Sequence, residues 1–403
     1  MIAPHPSSIR VVSTEEFTTA GAVAAFQVSS PPYNAGYKNR GYIAAVREDG
    51  TGIAMEVGPN VGATPVWTED GLFFSATDEE MLVTDDGLTR LPRPNPVAHE
   101  LMRWPLPDVN GFLSFSSYGF VDGEILQRLT LGNADGVREI DVHGQYMDMG
   151  MCEESAYAIT STRLTPGILD DVTSFARDRG TALPNRATMP AQEVLVRVYP
   201  ETTSHYPSIV GLAREDERVT GGNQDMPCAE GVIYRPIFLR DHAHVDKDSG
   251  LDAKAGHAAL QAWNTTDGTA TVIDLVTPEG GFLDLTEDDF TVPMGRFVNG
   301  RYVFITRQTR SICSTELATG VTECDLVVDR TDGEGHIDVF AMTDDYAYIL
   351  NQGDGEEGPA FALSRYSFAT GARDEVLTIE DAGVLREYDM SVQGLAINPK
   401  SQG

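Results

Sequence analysis

Short hairpins repeat along the whole chain. One type, seen in "ICSTELATGVTECDLV" and "FALSRYSFATGARDEVLTI", has alternating apolar residues on both sides of a turn rich in Asp, Thr and Gly, and it occurs seven times. A second type, such as "MGRFVNGRYVFIT", has a tighter turn and a more apolar second strand, and it occurs eight times. Alternation around turns of this kind predicts antiparallel β-hairpins.

The two hairpin types alternate along the sequence. They give four-strand units of about 50 residues, the size of a propeller blade. We therefore predict an all-β chain with a single β-propeller domain over residues 1–403. The eight tight-turn hairpins indicate eight blades, and the seven copies of the other type make seven the close alternative. A solenoid or a sandwich is the remaining architecture.

The two ends of the chain are expected to close the ring. We predict that the N-terminal "SIRVVS" lies beside the C-terminal "YDMSVQGLAIN" in the last blade. Such pairing removes an open sheet edge that would otherwise aggregate.

The hairpins resemble those of the β-propeller superfamily at the level of architecture. The "GH…WD" signature of WD40 repeats is missing. Thr319-Gly320 and Thr370-Gly371 match the turn of quinoprotein-type propeller repeats, but no tryptophan follows them, so a quinone cofactor is not expected. A G-x-S-x-G elbow is also missing, which argues against an appended serine peptidase.

Four cysteines suggest two disulfides. If Glu316 pairs with Val321 across the "ATG" turn, Cys313 lies opposite Cys324, at about the 4.5 to 5.5 Å Cα separation that a disulfide can bridge. Cys152 and Cys228 each end the first strand of a blade, so they can meet between adjacent blades. Two pairs favour an oxidising compartment, extracellular or in the cell envelope. Four buried free cysteines in a cytosolic protein are the alternative, and zinc is not favoured without C-x-x-C spacing.

The charge of the chain limits its partners. The formal net charge is −32, from 61 acidic and 29 basic residues. A surface of this sign repels phosphate backbones and anionic lipid, so we expect no nucleic-acid partner; basic proteins, cations and neutral polymers remain. No apolar stretch reaches the roughly 18 residues of a membrane span. The opening "MIAPHPSSIR" has no apolar h-region, so we do not expect it to be a signal peptide; a signal segment that was removed is the alternative.

Long connections predict a functional face. Six of them are expected on one side of the propeller, where loops over a rigid scaffold usually carry function; they are 29–41, 116–124, 161–192, 211–224, 240–257 and 351–359. The insertion at 161–192 predicts a short helix that begins at Thr165 and Pro166 and ends at Gly180. Its apolar face is expected to pack on the propeller, with a lid over the channel mouth as the alternative.

One acidic loop carries candidate metal ligands. In "DHAHVDKDSGLD", alternate residues of an extended strand share a face, so His242, His244 and Asp246 can converge on a divalent metal. Asp246, Asp248 and Asp252 also resemble a calcium-binding loop, but Gly250 is fifth where the pattern needs glycine sixth. Ca²⁺ is the candidate ion, and a solvated acidic loop without metal is the alternative.

An aromatic and basic loop carries candidate ligand-binding residues. Tyr33, Tyr37, Lys38 and Arg40 lie in "SSPPYNAGYKNRG", and Tyr118 lies in the next long loop. Tyrosine and arginine are common recognition residues, able to stack on a sugar or bind a carboxylate. The alternative is a proline-stiffened loop that only covers a blade edge.

These observations predict a binding protein, without identifying its ligand. We expect an exported or cell-envelope propeller, a monomer or part of an envelope complex, that recognises a protein or polysaccharide on its long-loop face. The competing prediction is a propeller enzyme, a glycan hydrolase or lyase that uses carboxylates or the His242 and His244 region. A purely structural domain of an envelope complex, with an apolar patch on one face, is the third possibility.

Overall fold

A computed structural model gives the fold of the chain. It describes most of the sequence, in these ranges: 8–30, 40–59, 62, 64–76, 78–96, 99–180, 183, 190–200, 205–216, 219–220, 225–241, 256–290, 295–306, 309–326, 337–353, 358–386 and 390–401. Within them, the strands form seven sheets of four or five strands each. The fold is a β-propeller with seven blades, as the alternative blade count predicted.

The first three blades follow one another along the chain. Their strands are β1 (Ile9–Val11), β2 (Ala24–Ser29), β3 (Gly41–Val46) and β4 (Gly52–Glu56) in blade 1; β5 (Val66–Trp67), β6 (Leu72–Ser75), β7 (Glu79–Thr84) and β8 (Gly87–Pro92) in blade 2; and β9 (His99–Leu106), β10 (Gly111–Val121), β11 (Glu124–Asn133) and β12 (Gly136–His143) in blade 3.

The next three blades include the helical insertion. Their strands are β13 (Asp148–Cys152), β14 (Ser155–Ser161), β15 (Gln192–Tyr199) and β16 (Ser208–Arg214) in blade 4; β17 (Val219–Thr220), β18 (Cys228–Ala229), β19 (Val232–Arg240), β20 (Gly256–Asn264) and β21 (Ala270–Asp274) in blade 5; and β22 (Gly295–Val298), β23 (Arg301–Ile305), β24 (Ser311–Thr315) and β25 (Thr322–Leu326) in blade 6.

Blade 7 completes the count, and one strand returns to blade 1. The strands are β26 (Ile337–Met342), β27 (Tyr346–Gln352), β28 (Phe361–Ser367), β29 (Arg373–Ile379) and, in blade 1, β30 (Ser391–Ile397). Within the described ranges there is one α-helix, α1 (Leu169–Asp178), and short 3-10 helices lie at Thr14–Glu16, Pro107–Val109, Pro166–Ile168, Glu287–Phe290, Gly383–Arg386 and Pro399–Ser401. Among the described residues, no helix is both long enough and apolar enough to cross a membrane.

The strand pairing in blade 1 shows why the predicted number of eight blades is one too many. Its strand order is β1-β4-β3-β2-β30, so the C-terminal β30 pairs antiparallel with β2. The two tight-turn hairpins predicted at the chain ends are therefore the two halves of one strand pair. "SIRVVS" contributes β1, which pairs in parallel with β4 at the opposite edge of the sheet from β30. The terminal strands share a blade as predicted, but they are not neighbours.

The chain divides into two compact units, which are described in turn. The first unit comprises 1–118, 128–141 and 330–403, and the second comprises 119–127 and 142–329. A single domain over residues 1–403 stays a prediction.

In the first unit, inner strands of the sheets are buried on both faces and edge strands are partly exposed. All residues of β2 and β3 are buried, whereas β29 begins with three exposed residues. Phe26 and Phe361 pack with ring centroids 4.9 Å apart in the apolar cluster between blades 1 and 7. Burial of apolar area at roughly 25 cal/mol per Å² is what holds such sheets together.

A buried charge cluster links blades 2 and 3 in the first unit. The side chains of Arg93, Arg103, Glu80 and Glu100 have no solvent exposure. Glu80 Oε1 lies 2.5 Å from Arg93 Nη1, and Glu100 Oε2 lies 2.8 Å from Arg103 Nη2. Buried charges need such partners, because an unpaired charge in the interior costs several kcal/mol.

In the second unit, the predicted hairpin register is confirmed. The Glu316 amide donates to the Val321 carbonyl at 2.9 Å, and Cys313 pairs directly with Cys324. Gly320 takes a φ of +73° in the turn, a left-handed conformation that glycine adopts without steric cost. Cys313 and Cys324 form a disulfide with Cα atoms 4.0 Å apart, the hairpin disulfide.

The second predicted disulfide is also present in this unit. Cys152 at the end of β13 is bonded to Cys228 at the start of β18, with Cα atoms 5.0 Å apart. This inter-blade disulfide lies in an apolar cluster with the buried Met226 and Trp263. Both predicted disulfides are therefore confirmed, and together they cover all four cysteines.

The helical insertion follows its prediction in outline. Ile168, Val172 and Ala176 are buried on one face of the helix, and α1 packs against β16. Gly180 follows its C-terminal end with a φ of +73°. Thr165 precedes the first turn as predicted, but its hydroxyl accepts from the Gln145 amide at 2.9 Å instead of capping the helix.

Candidate functional site

A cavity of about 420 Å³ opens in the second unit. Its wall comes from the β10–β11 hairpin, the link between β12 and β13, the chain that leads into α1, and Tyr206 before β16. Two of the six connections predicted to form a functional face, 116–124 and 161–192, therefore line one cavity. We take this cavity as the candidate functional site, because concave surfaces with a few convergent polar groups are the usual place for ligands.

The mouth of the cavity carries exposed apolar side chains. Phe120 near the tip of the β10–β11 hairpin is 79% exposed, and Leu164, in the chain that leads into α1, is 41% exposed. Val121, next to Phe120, is 40% exposed. Large apolar side chains held in water beside a cavity indicate a contact surface, since their exposure has no benefit for folding.

A carboxylate lies at the polar side of the cavity. Glu124, the first residue of β11, accepts a hydrogen bond at Oε1 from the Tyr206 hydroxyl at 2.6 Å. Its Oε2 lies 3.1 Å from His205 Nε2 and 3.5 Å from His143 Nδ1. One carboxylate oxygen thus accepts from a phenol, and the other lies within 3.5 Å of a nitrogen of each of two imidazoles.

The two imidazoles come from separate parts of the chain. His143 ends β12 and His205 precedes β16, yet their rings stack with centroids 3.8 Å apart. The Tyr146 hydroxyl donates to the His143 carbonyl at 2.9 Å, which fixes the backbone of that residue. The ligand atoms of Glu124, His143 and His205 all lie within 4.8 Å of one another, so these residues could hold a metal.

The contacts of this cluster change the acidity of its members. Hydrogen bonds from Tyr206 and then from His205 lower the pKa of Glu124, because they stabilise the carboxylate. Burial, helped by the adjacent carboxylate of Glu124, raises the pKa of Tyr206 to about 12. At neutral pH, therefore, Glu124 is an anion and Tyr206 remains a hydrogen-bond donor.

Close packing at the start of the insertion positions Tyr206. A Cβ atom at Gly167 would collide with the Tyr206 hydroxyl and would also lie 2.9 Å from Glu124 Oε1. Only glycine leaves room for the phenol between the first turn of the helix and the carboxylate. The insertion thus shapes this side of the cavity as well as covering blade 4.

The predicted ligand-binding residues that the structure describes make contacts within the first unit. Arg40 Nε lies 3.3 Å from Glu56 Oε1. The Tyr118 hydroxyl donates to the Pro96 carbonyl at 2.7 Å, and Arg128 lies over its ring at 4.3 Å. Tyr33, Tyr37 and Lys38 lie outside the described residues. A role for these five residues in binding stays a prediction.

The predicted metal loop lies outside the described residues as well. This applies to His242, His244, Asp246, Asp248 and Asp252. A Ca²⁺ or other divalent metal site in this loop therefore stays a prediction.

The sequence did not single out the two histidines that contact Glu124 beside the cavity. His143 and His205 lie 62 positions apart, and the sequence predicts the end of one hairpin at the first and the turn of another at the second. Glu124 was included only as the end of a long predicted connection. The long connection was the one sequence feature that pointed to this site, because spacing in sequence does not reveal contacts between blades.

Comparisons with known proteins concern the fold alone. No protein-family model matches the chain, and no curated protein is significantly similar to it. A Synechocystis ACO mutant is 10% identical with a TM-score of 0.47, covering 95% of this chain and 94% of that one. The β-propeller domain of the Trilobed protease from Pyrococcus furiosus is 11% identical with a TM-score of 0.46, covering 92% and 97%. Apo AztD from Citrobacter koseri is 10% identical with a TM-score of 0.39, covering 93% and 98%.

Proposed function

We propose that the chain is an exported β-propeller that binds a partner protein through the cavity beside Phe120. The observation that supports this most is the exposure of two apolar side chains that line the cavity, Phe120 and Leu164, with the exposed Val121 next to Phe120 in sequence. Aromatic side chains at the centre of a contact surface commonly contribute ~2 kcal/mol or more to association. The cavity behind them is large enough to receive one side chain of the partner.

Export is supported by the two disulfides. Structural disulfides persist mainly in oxidising compartments, outside the cell or in the cell envelope. The net charge of −32 keeps such a protein soluble and favours a partner surface that is neutral or basic.

A protein is a better match than a polysaccharide to the composition of the mouth. A sugar-binding cleft usually needs polar groups that pair with hydroxyls around an aromatic platform, whereas Phe120 is flanked here by the aliphatic Val121. Arg163, also in the cavity wall, lies 3.6 Å from Glu215 and adds a polar rim. An apolar centre with a polar rim is the usual anatomy of a protein–protein contact.

The competing interpretation, a glycan hydrolase, is less well supported at this site. The usual glycosidase mechanism needs two carboxyl groups on opposite sides of the scissile bond. Among the described residues that line the cavity, Glu124 is the single carboxylate.

A peptide-display experiment tests the proposal. A random peptide library is panned on the full-length oxidised protein, and the dissociation constants of enriched peptides are measured by fluorescence polarisation. We expect Phe120→Ser to weaken the selected peptides by about 30-fold, or ~2 kcal/mol. Phe282→Ser is the matched control, because Phe282 is 58% exposed and does not line the cavity.

Two results would overturn the proposal. One is peptide binding that is equally strong for wild type and Phe120→Ser. The other is a failure to enrich any peptide while a panel of soluble glycans binds the wild-type protein and not Phe120→Ser; the site would then recognise polysaccharide.

A further inference from the structure

Three side chains with metal-binding atoms meet beside the cavity. Glu124, His143 and His205 come from the start of β11, the end of β12 and the segment before β16. Their ligand atoms lie within 4.8 Å of one another. Glu124 and His143 lie at the two ends of the hairpin formed by β11 and β12, whereas His205 is 62 positions further along the chain and reaches them only through the fold.

The distances suit a small divalent cation. Tetrahedral Zn²⁺ holds imidazole nitrogens and carboxylate oxygens at about 2.0–2.2 Å, which places ligand atoms roughly 3.3 Å from one another. Glu124 Oε2 lies 3.1 Å from His205 Nε2 and 3.5 Å from His143 Nδ1. Because the side chain of His205 is 56% exposed, its ring can rotate to bring the two nitrogens to the same separation.

The donor types select the class of metal. Two imidazoles and one carboxylate are the ligands of Zn²⁺ and of neighbouring first-row transition metals, whereas Ca²⁺ requires six to eight oxygen ligands. The cluster is therefore different in kind from the calcium-like loop predicted around Asp246.

Residues around the cluster orient its ligands. The Tyr206 hydroxyl donates to Glu124 Oε1 at 2.6 Å, which leaves Oε2 directed at the imidazoles. The Tyr146 hydroxyl holds the His143 carbonyl at 2.9 Å. Hydrogen bonds that fix metal-ligating side chains in this way commonly change metal affinity by about 10- to 100-fold.

We propose that Glu124, His143 and His205 bind one divalent transition-metal ion of the Zn²⁺ class. Glu124 and Tyr206 line the cavity, so the metal has three protein ligands and a fourth coordination position on the cavity side. Sites with three protein ligands and an open position bind water or an incoming ligand, in contrast to closed structural sites with four. This metal site is independent of the proposed protein partner.

Titration of the chelator-treated full-length protein with Zn²⁺ alone tests the proposal. We expect one equivalent to bind, at least about 100-fold more weakly in His205→Gln, and about 10- to 100-fold more weakly in Tyr206→Phe. His257→Gln is the matched control, because His257 Nε2 also lies 3.2 Å from a carboxylate oxygen, Asp274 Oδ1, and the His257 ring stacks on the Phe282 ring with centroids 4.3 Å apart. Circular dichroism confirms that each variant is folded.

Co²⁺ absorption provides a second readout. Four-coordinate Co²⁺ has intense visible bands and six-coordinate Co²⁺ has weak ones, and we expect the intense bands in wild type and their loss in His205→Gln. The proposal is wrong if no stoichiometric Zn²⁺ binds, or if His205→Gln binds as tightly as wild type. It is also wrong if His257→Gln alone removes binding, since the metal would then lie at another site.

Discussion

Arg103 is a buried side chain whose removal should strongly destabilise the first unit. It is fully buried on β9 and donates to Glu80 Oε2 at 3.0 Å, to Glu100 Oε2 at 2.8 Å, and to the Ser75 hydroxyl. Burial alone would lower the pKa of Arg103, but the neighbouring Glu100 and Glu80 raise it above the usual range. The guanidinium therefore remains charged at every accessible pH.

Replacing Arg103 by methionine keeps much of the side-chain volume and removes the charge. Glu80 then retains Arg93, while Glu100 retains the Ser75 hydroxyl and the Thr64 amide. A buried carboxylate without its cation is strongly unfavourable, so we expect Arg103→Met to reduce the free energy of unfolding by about 3–5 kcal/mol.

Arg90→Met is the matched control, in the neighbouring blade. Arg90 Nη1 contacts Glu79 Oε1 at 2.9 Å, but the arginine side chain is 53% exposed. Because water screens an exposed pair, we expect a loss of less than about 1 kcal/mol. Urea unfolding at neutral pH, followed by circular dichroism and fluorescence, measures both variants.

Comparing Arg103→Met with Arg90→Met tests whether burial makes the Arg103 cluster important for stability. If Arg103→Met and Arg90→Met lose the same stability within about 1 kcal/mol, the buried cluster does not have the energetic role inferred from its burial. Combining Arg103→Met with Glu100→Gln should recover part of the loss, because it neutralises one orphaned carboxylate. No recovery would assign the loss to packing, for example to the contact between Arg103 and the Phe112 ring at 4.3 Å.

Three further predictions concern other parts of the molecule. Replacing both cysteines of the inter-blade disulfide by serine should reduce the free energy of unfolding by about 1.7 kcal/mol more than the same change in the hairpin disulfide. The reason is loop length: the cysteines are 76 positions apart in the first bond and 11 in the second, and a longer closed loop restricts the unfolded chain more. Equal urea midpoints for the two variants would contradict this. Gly167→Ala should reduce the free energy of unfolding by about 1–3 kcal/mol, because the new Cβ displaces Tyr206. Thermal unfolding measures this loss, with Gly281→Ala as the control, since a Cβ at Gly281 makes only an ordinary van der Waals contact. Burial raises the pKa of Tyr118 in the folded protein. The stability that the protonated phenol contributes is therefore present below the unfolded-state pKa of about 10 and is lost as the pH rises through the higher folded-state pKa. In a difference absorbance titration against Tyr118→Phe, a transition at or below the pKa of free tyrosine would refute that shift.

Much of the fold could be predicted because hairpins are local structures. The "ATG" turn fixes the register of its two strands, so the pairing of Cys313 with Cys324 followed from counting residues. The buried face of α1 followed from helical spacing in the same way. The blade count did not follow, since β2 and β30 pair across nearly the whole chain and each resembled a separate hairpin.

The sequence by itself determined the strand pattern, the disulfide partners and the position of the helical insertion. Each of these depends on turn chemistry and residue spacing within a few tens of positions, or on the repeat that places equivalent positions in neighbouring blades. The tertiary structure alone decided which polar groups meet at the cavity: Glu124 and His205 are 81 positions apart and in contact at 3.1 Å. Contacts of this kind depend on how blades and insertions pack, and packing energies are spread over many side chains that no short motif records.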